Sequence, residues 1–349
     1  MDKRKTTYCE FGFWREFSSD FPQKMELDDE AKKSVECWLH FYDLCSNVNL
    51  KFDITYDQLK EDVQKDELLL KLWKRSSNGA CGLECEADKF PHIDQLSPDA
   101  LGKTDMNAVF LTNKDSDTCL QKSQEFGVLV LNNQNRENFK YLFSDNSVAI
   151  DIRDSNIHSW DFLKNYGLNI CNSIIVVDNY LLSSAENIND NLLPILNILL
   201  QKKSKVPIHI SIFCDLHKSK NMPENQLKSK VEETYELISK NIGKQTSDFK
   251  LTIYYGANHL HDREILTNNA WIGCGAGFDL FKRGQSTKQT KVQVLFPFVK
   301  LGIDGNSADE TAYMNLLKET LKIDQNSVQT QYVWNYVGDK TNRLMDCYR

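Results

Sequence analysis

The sequence predicts a two-domain α/β protein, and three observations support that prediction. The chain has 349 residues, more than a single domain usually holds. Hydrophobic residues make up 41% of it, which is ample for a packed core. After about residue 150, buried-strand runs alternate with amphipathic helices, and a polar, Asn-rich stretch from Asn132 to Asp154 precedes them. We therefore expect a domain at residues 1–145 and another at 146–349.

The second domain is predicted from the alternation of its elements. The helix that Pro223 introduces has an inner face formed by Leu227, Val231, Tyr235 and Ile238. Strand, helix, strand, helix, strand implies mainly parallel strands, within a mixed sheet that helices flank. The predicted strands are 174–177, 208–213, 251–255 and 292–296, and the predicted helices are 188–201, 224–242 and 309–323.

The first domain is predicted to be a smaller mixed α/β domain, and the sequence does not indicate its role. Thr55 and Gln58 form a capping-box pattern for a helix that runs to about Trp73. The other predicted elements are a helix around 35–42, a long loop at 76–103, and strands at 108–111 and 128–131 on either side of a helix.

One segment of the first domain is faintly similar to PIN-type nucleases. Residues 111–115 (Leu-Thr-Asn-Lys-Asp) and 126–128 (Phe-Gly-Val) carry the likeness to the last strand–helix–strand segment of that family. Such a nuclease needs several carboxylates that converge on a divalent metal, and the rest of the set is not found. We therefore interpret Asp115 and Asp117 as surface acids on a solvated helix.

The composition argues against several classes of protein. A formal charge of -7 and a pI near 5.6 oppose binding along a whole nucleic-acid backbone, although a local basic patch stays compatible with them. No apolar run approaches the roughly 18 to 20 residues that span a bilayer, and no apolar signal core follows the basic start. Ten scattered cysteines fit a reducing cytoplasm. Cys81 and Cys85 lack a second Cys or His pair, so we predict no metal and no other cofactor.

The segment from His261 to Trp271 carries the candidate site. His261 and Arg263 stand two residues apart, so both side chains point to the same face of an extended strand. A single pocket can therefore contain both of them. Asn268 follows five residues after Arg263, and these three are the candidate catalytic residues.

Charged residues after this segment extend the candidate site. Lys282, Arg283, Lys288 and Lys291 follow one another with no acid between them. We predict that Arg263 binds phosphate together with Lys282, Arg283 and Lys288. The residues expected to support the site structurally are Asp178, which ends a buried strand, and Asp262, Glu264, Asn269 and Asp279.

The spacing of His261, Arg263 and Asn268 resembles the HxKxxxxD signature of phospholipase D-like phosphodiesterases. Arginine stands in place of the lysine, and asparagine in place of the aspartate. In that family a histidine attacks phosphorus, a lysine neutralises the non-bridging oxygens, and a second His-Lys pair protonates the leaving group. No second half-motif is found here, and an arginine does not shuttle protons. The resemblance therefore implies phosphate binding more readily than hydrolysis.

A more specific likeness covers residues 251–283, which resemble the phospholipase D-like C-terminal domain of MIT-domain-containing proteins. It implies a degenerate phospholipase D-like fold over about 150–349, in a non-catalytic relative associated with membrane surfaces and anionic lipid. Related prokaryotic domains occur beside defence or mobile-element functions, which implies a bacterial defence context. The likeness is carried by residues 261–265, Asn268, Asn269, Trp271, Gly275, Gly277, Phe278, Asp279 and Phe281.

The sequence thus predicts a non-catalytic or weakly catalytic phosphate-recognising module for nucleic acid, nucleotide or anionic lipid. We expect it to act with protein partners or as a homodimer, as an accessory component of a defence or mobile-element system. One alternative is a phosphodiesterase or nuclease with His261 as nucleophile, Arg263 as charge stabiliser and Asn268 as orienter. Another is a structural scaffold in a protein complex, in which the charged side chains only form ion pairs.

Overall fold

The fold is taken from a computed structural model of the chain. It consists of an N-terminal unit, Met1–Ser123 with Val128–Asp145 and Phe298–Glu310, and a C-terminal unit made of the rest, which includes Gln124–Gly127. The structure describes residues 5–19, 48–79, 81–98, 108–133, 148–152, 157–200, 204–214, 223–244, 248–254, 263–295, 315–322, 333–335 and 342–346.

The N-terminal unit is built on five parallel strands, in the order β3-β2-β1-β4-β5. Its strands are β1 (Lys5–Cys9), β2 (Val48–Phe52), β3 (Gly82–Cys85), β4 (Val109–Leu111) and β5 (Leu129–Leu131). The helices along this part of the chain are α1 (Phe11–Ser19), α2 (Tyr56–Val63), α3 (Glu67–Ser77) and α4 (Ser116–Phe126).

The predicted capping box is confirmed, and the length of the helix behind it is corrected. The Thr55 side chain accepts from the Gln58 backbone N–H, and the Gln58 side chain accepts from the Thr55 backbone N–H. The single helix expected to run to Trp73 is wrong, because the chain forms two helices. Asp66 caps the second one by accepting from the backbone of Leu68 and Leu69, which fixes a new helix start there.

The long loop expected at residues 76–103 is also wrong in part. Within it, β3 pairs in parallel with β2, and Ile93–Gln95 forms one turn of 3-10 helix. β3 is an edge strand with half-exposed side chains on both faces, so it shows no hydrophobic alternation in the sequence. The strands predicted at 108–111 and 128–131, with a helix between them, are confirmed. The helix expected around 35–42 lies outside the described residues.

The C-terminal unit contains an eight-stranded mixed sheet in the order β15-β9-β8-β7-β10-β11-β14-β6. Its helices are α5 (Ala185–Asn187), α6 (Leu193–Leu199), α7 (Glu224–Ile242) and α8 (Arg343–Asp346), and residues 315–322 are also helical. The strands of the sheet are β6 (Val148–Asp151), β7 (Ser173–Val177), β8 (Ile208–Phe213), β9 (Phe249–Tyr254), β10 (Glu264–Thr267), β11 (Trp271–Cys274), β14 (Lys291–Leu295) and β15 (Val333–Asn335); β12 (Phe281–Lys282) and β13 (Gln285–Ser286) form a separate hairpin.

The predicted α/β class with a mixed, helix-flanked sheet is confirmed, but the expectation of mainly parallel strands is wrong. Only β7, β8 and β9 pair in parallel, and every other neighbouring pair in this sheet is antiparallel. The physical reason is the length of the connections. Three residues, 268–270, join β10 to β11, and so short a turn permits only antiparallel pairing.

The central strands β7 and β8 are buried on both faces, and the main hydrophobic cluster of the C-terminal unit lies on one of them. Alternate residues of β7, β8 and β9 point into it, and α6 and the inner face of α7 cover them. A π-helical segment, Ile188–Leu192, joins α5 to α6 and turns Asn191 inward. The Asn191 side chain accepts from Trp160 Nε1 and Phe281 N and donates to Phe281 O, at 2.9 to 3.1 Å. This amide therefore fixes the β12–β13 hairpin against the core.

Candidate functional site

Arg263 stands directly before β10, at the end of the sheet where β11 turns. Its backbone carbonyl accepts from Cys274 N at 3.0 Å, and its Nη1 donates to Gly275 O at 3.2 Å. The guanidinium carbon lies 5.6 Å from the centre of the Tyr180 ring, within cation–π range. The buried Nε has no hydrogen-bond partner in the part of the chain that the structure describes. His261 and Asp262, predicted beside it, lie outside the described residues.

Arg263 forms one end of an open pocket of about 370 Å³. The register places Glu264 opposite Gly273, and Gly273 opposite Gln293, so these three stand in a row across β10, β11 and β14. Trp271 lies two residues before Gly273 on the same face of β11. Gly275 and Lys291 also line the pocket.

The floor of the pocket is open because two of its residues are glycines. No atom lies within 4 Å of the place where a Cβ would stand on Gly273 or on Gly275. Both glycines therefore leave space for a ligand and do not fill a tight contact. Gly277 is different: its φ is +89°, and a Cβ there would lie 3.0 Å from Asp279 Oδ1 and 3.3 Å from Asp178 Oδ2.

Asp178 supports the turn beside the pocket from within the core. Its Oδ1 accepts from the backbone N–H groups of Tyr180 and Leu181 at 2.7 and 3.0 Å, and its Oδ2 accepts from Phe278 N at 2.7 Å. Burial raises the pKa of this carboxyl, and the three N–H donors offset the effect only in part. Asp178 thus ties the end of β7 to the Gly277 turn, against which the Arg263 side chain packs.

Much of the C-terminal unit matches a known protein family. Residues 158–295 match the family described as the phospholipase D-like domain at the C-terminus of MIT. The C-terminal half carries a phospholipase D-like domain. The resemblance predicted from residues 251–283 is confirmed, and the N-terminal unit lies outside the match. The search of curated proteins finds no match.

The phospholipase D-like domain keeps Asn268 far from Arg263. The extended residues between them span about 17 Å. Asn268 is buried, its Oδ1 accepts from Asn172 N at 3.0 Å, and its Nδ2 donates to Gly127 O at 2.8 Å. Its neighbour Asn269 donates to Ile170 O at 2.8 Å. Both amides bind the backbone of adjoining segments, and the orienting role of Asn268 towards His261 stays a prediction.

The basic residues of the phospholipase D-like domain separate into two groups. Lys282 and Arg283 both form ion pairs with Glu186, at 2.9 and 3.5 Å, and Lys288 pairs with Asp279. Phosphate binding by these three stays a prediction, and their acidic partners weaken the local positive potential. Lys291 is the one member of the run that lines the pocket. It stands opposite Asp151 of β6, and the two side chains form no ion pair among the residues described.

Sequence reasoning assigned no binding role to Trp271, Gly273 and Gln293 on this face of the domain. They meet only through the antiparallel pairing of β10, β11 and β14. One signal was available: Lys291 to Val294 alternate between exposed polar and buried apolar positions, which indicates a strand with one polar face.

Two further groups of side chains have structural explanations. Asp115 is exposed and accepts from the backbone and hydroxyl of Thr118, so it caps the first turn of α4. Burial raises the pKa of the Cys85 thiol to about 11, which keeps it protonated.

Over the ranges that the structure describes, no group of three or more His, Cys, Asp or Glu side chains is arranged to hold a metal ion.

None of the helices formed by the described residues is long and apolar enough to cross a bilayer.

Proposed function

We propose that the phospholipase D-like domain is a phosphate-recognising module that binds its ligand at Arg263 and Lys291 and turns it over weakly or not at all. The observation that carries the proposal is that these two cations line one open pocket and that neither forms an ion pair with a carboxylate of the described residues, although Glu264 also lines the pocket and Asp151 stands opposite Lys291 in the sheet. A pocket of this kind attracts an anion, and the family match suggests that the anion is a phosphate.

Arg263 is suited to bind phosphate because its side chain is held in place while some of its N–H donors have no partner among the described residues. One guanidinium N–H already binds Gly275 O, and the guanidinium carbon lies 5.6 Å from the centre of the Tyr180 ring. The Nε–H is buried, but Nη1→Gly275 O is the only hydrogen bond of this side chain in the described part, so N–H donors of the two Nη groups remain for a ligand. Ordering this side chain costs little on binding, because the protein already holds it.

Lys291 supplies the second positive charge from the other side of β11. β10 and β14 flank β11, so the starting points of the two side chains are separated by about 10 Å, twice the spacing of neighbouring strands. Both side chains are long enough to reach a phosphate bound near Gly275. Two cations on one phosphate neutralise most of its charge without a metal ion.

The residue types favour binding over turnover. Arg263 holds its proton at any physiological pH, so it stabilises charge but does not act as an acid or base. Asn268 is a neutral amide whose two ends already bind backbone groups. A phosphodiesterase that uses His261 would need both functions from other residues.

Titration of inorganic pyrophosphate into the full chain by calorimetry tests the proposal. Arg263→Ala should weaken binding by roughly tenfold or more, and Lys291→Ala by severalfold, because each removes a charge-assisted contact. Lys282→Ala is the matched control and should leave the affinity unchanged, since Lys282 is paired with Glu186. A loss of affinity in Lys282→Ala, with none in Arg263→Ala and Lys291→Ala, would contradict the proposed site and favour the predicted patch at Lys282, Arg283 and Lys288.

A phosphodiester reporter separates the alternatives. We expect no hydrolysis of bis-p-nitrophenyl phosphate above the background rate. Hydrolysis that His261→Ala abolishes would establish the phosphodiesterase or nuclease instead. If the protein binds neither pyrophosphate nor the reporter, the scaffold alternative remains. The cytoplasmic location, the homodimer or protein partners, and the defence context are further parts of this proposal that rest on the sequence alone.

A further inference from the structure

We infer that the ligand of the Arg263–Lys291 pocket is a nucleotide, with its base against Trp271 and its phosphates at the two cations. The inference rests on the proposed function and adds the ligand class. It starts from the polarity of the pocket along β11: an aromatic ring at one end, two glycines in the middle, and two cations at the other end.

The dimensions suit one small molecule bound along the strand. From Trp271 to Gly275 the chain advances about 13 Å. The pocket volume of about 370 Å³ falls at the lower end of the range for small-molecule sites. Gly273 leaves the middle of this path free of side-chain atoms, so a sugar ring can lie flat over the strand.

Trp271 provides an aromatic surface, a contact that inorganic phosphate or pyrophosphate would not use. The residue is half-buried, so part of its ring faces the pocket. A nucleobase offers a flat surface that can stack on the accessible part of this ring.

Glu264 and Gln293 make the middle of the pocket selective for neutral, hydrogen-bonding groups of the ligand. They flank Gly273 from the two neighbouring strands and both line the pocket. Both side chains can accept hydrogen bonds from sugar hydroxyl or base amino groups, and the carboxylate disfavours further negative charge at the middle of the pocket, away from the phosphate end. This combination favours a ligand with one anionic end and one neutral, hydrogen-bonding end. It argues against a densely charged membrane surface as the occupant.

The test compares ADP with inorganic pyrophosphate on the full chain by calorimetry. ADP should bind roughly tenfold or more tightly than pyrophosphate, because stacking on Trp271 adds to the phosphate contacts. Trp271→Leu should remove this preference and leave pyrophosphate affinity unchanged. Gly273→Ala should weaken ADP binding with little change in melting temperature, because its methyl group enters open space.

The outcomes separate the inference from the proposed function. If neither compound binds, the proposed function fails. If both bind equally, or if Trp271→Leu weakens both to the same degree, the phosphate site stands and the nucleotide assignment is overturned. Should vesicles of phosphatidylcholine with 30% phosphatidylserine, roughly the charge of an anionic leaflet, bind the chain when ADP does not, the ligand is a lipid headgroup instead. Gly273→Ala gives the answer on a folded protein if Trp271→Leu does not fold.

Discussion

At the scale of single residues, Arg263 and Asn268 have different surroundings, since Arg263 lines the pocket and Asn268 is buried against backbone groups. The segment from His261 to Asn268 suggested one catalytic trio, yet Arg263 and Asn268 stand at opposite ends of β10. Spacing along a chain does not tell whether an amide faces a pocket or binds neighbouring backbone. The partners of Asn268, at Asn172 and Gly127, are 96 and 141 residues away in sequence. Such contacts become visible only once the fold is known.

Asp178 gives a residue-scale prediction about pH. Because burial raises its pKa above 3.8 in the folded state, its titration stabilises the fold at low pH, and this contribution is lost as pH rises from about 4 towards neutral. Asp178→Asn leaves Phe278 N–H without an acceptor and should lower the free energy of unfolding by about 1–3 kcal/mol at pH 4. The difference from wild type should shrink as pH rises, which urea titrations at pH 4 to 7 measure.

Asp161 offers a matched control for that experiment. It is exposed, and its bond to Lys164 lowers its pKa, so the sign of its pH dependence is opposite. Asp161→Asn should therefore have a small effect that increases with pH. If the Asp178→Asn difference grew with pH as well, the three N–H donors would outweigh burial, and our explanation of the Asp178 pKa would be wrong.

At the scale of elements, the sequence predicted the helices and strands whose ends are set by local residue patterns. The predicted bounds of strands β7 and β8 and helix α7 lie within one residue of the observed bounds, because long apolar or amphipathic runs define these elements. The break between α2 and α3 was missed, because the side chain of Asp66 decides it by capping a second helix. β3 was missed because an edge strand with half-exposed faces has no distinctive pattern. Local signals therefore predict central elements better than edges and caps.

The capping box of α2 gives the element-scale prediction. Thr55→Ala removes the acceptor for Gln58 N, and N-cap losses of this kind cost about 1 kcal/mol. Hydrogen exchange measured by mass spectrometry should show faster exchange in peptides from residues 56–63, by roughly fivefold. Glu61→Ala, an exposed change in the same helix, should leave the exchange rate nearly unchanged. Equal protection in Thr55→Ala and wild type would show that tertiary packing, and not the cap, holds this helix.

At the scale of the whole molecule, the α/β class and the phospholipase D-like C-terminal half followed from the sequence and are confirmed. The strand order was not predictable, because β6 and β14, about 140 residues apart, become neighbours at the edge of the C-terminal sheet. That same antiparallel half of the sheet creates the pocket. The boundary predicted near residue 145 and the role of the N-terminal unit stay predictions.

The position of a bound phosphate mimic tests the central claim most directly. A crystal of the full chain soaked in tungstate, an anomalous scatterer with the shape of phosphate, would place the anion without any assumption about the natural ligand. We predict an anomalous peak in the pocket, in contact with the Arg263 guanidinium and within reach of Lys291. Peaks confined to Lys282, Arg283 and Lys288, with the pocket empty at saturating tungstate, would contradict the account.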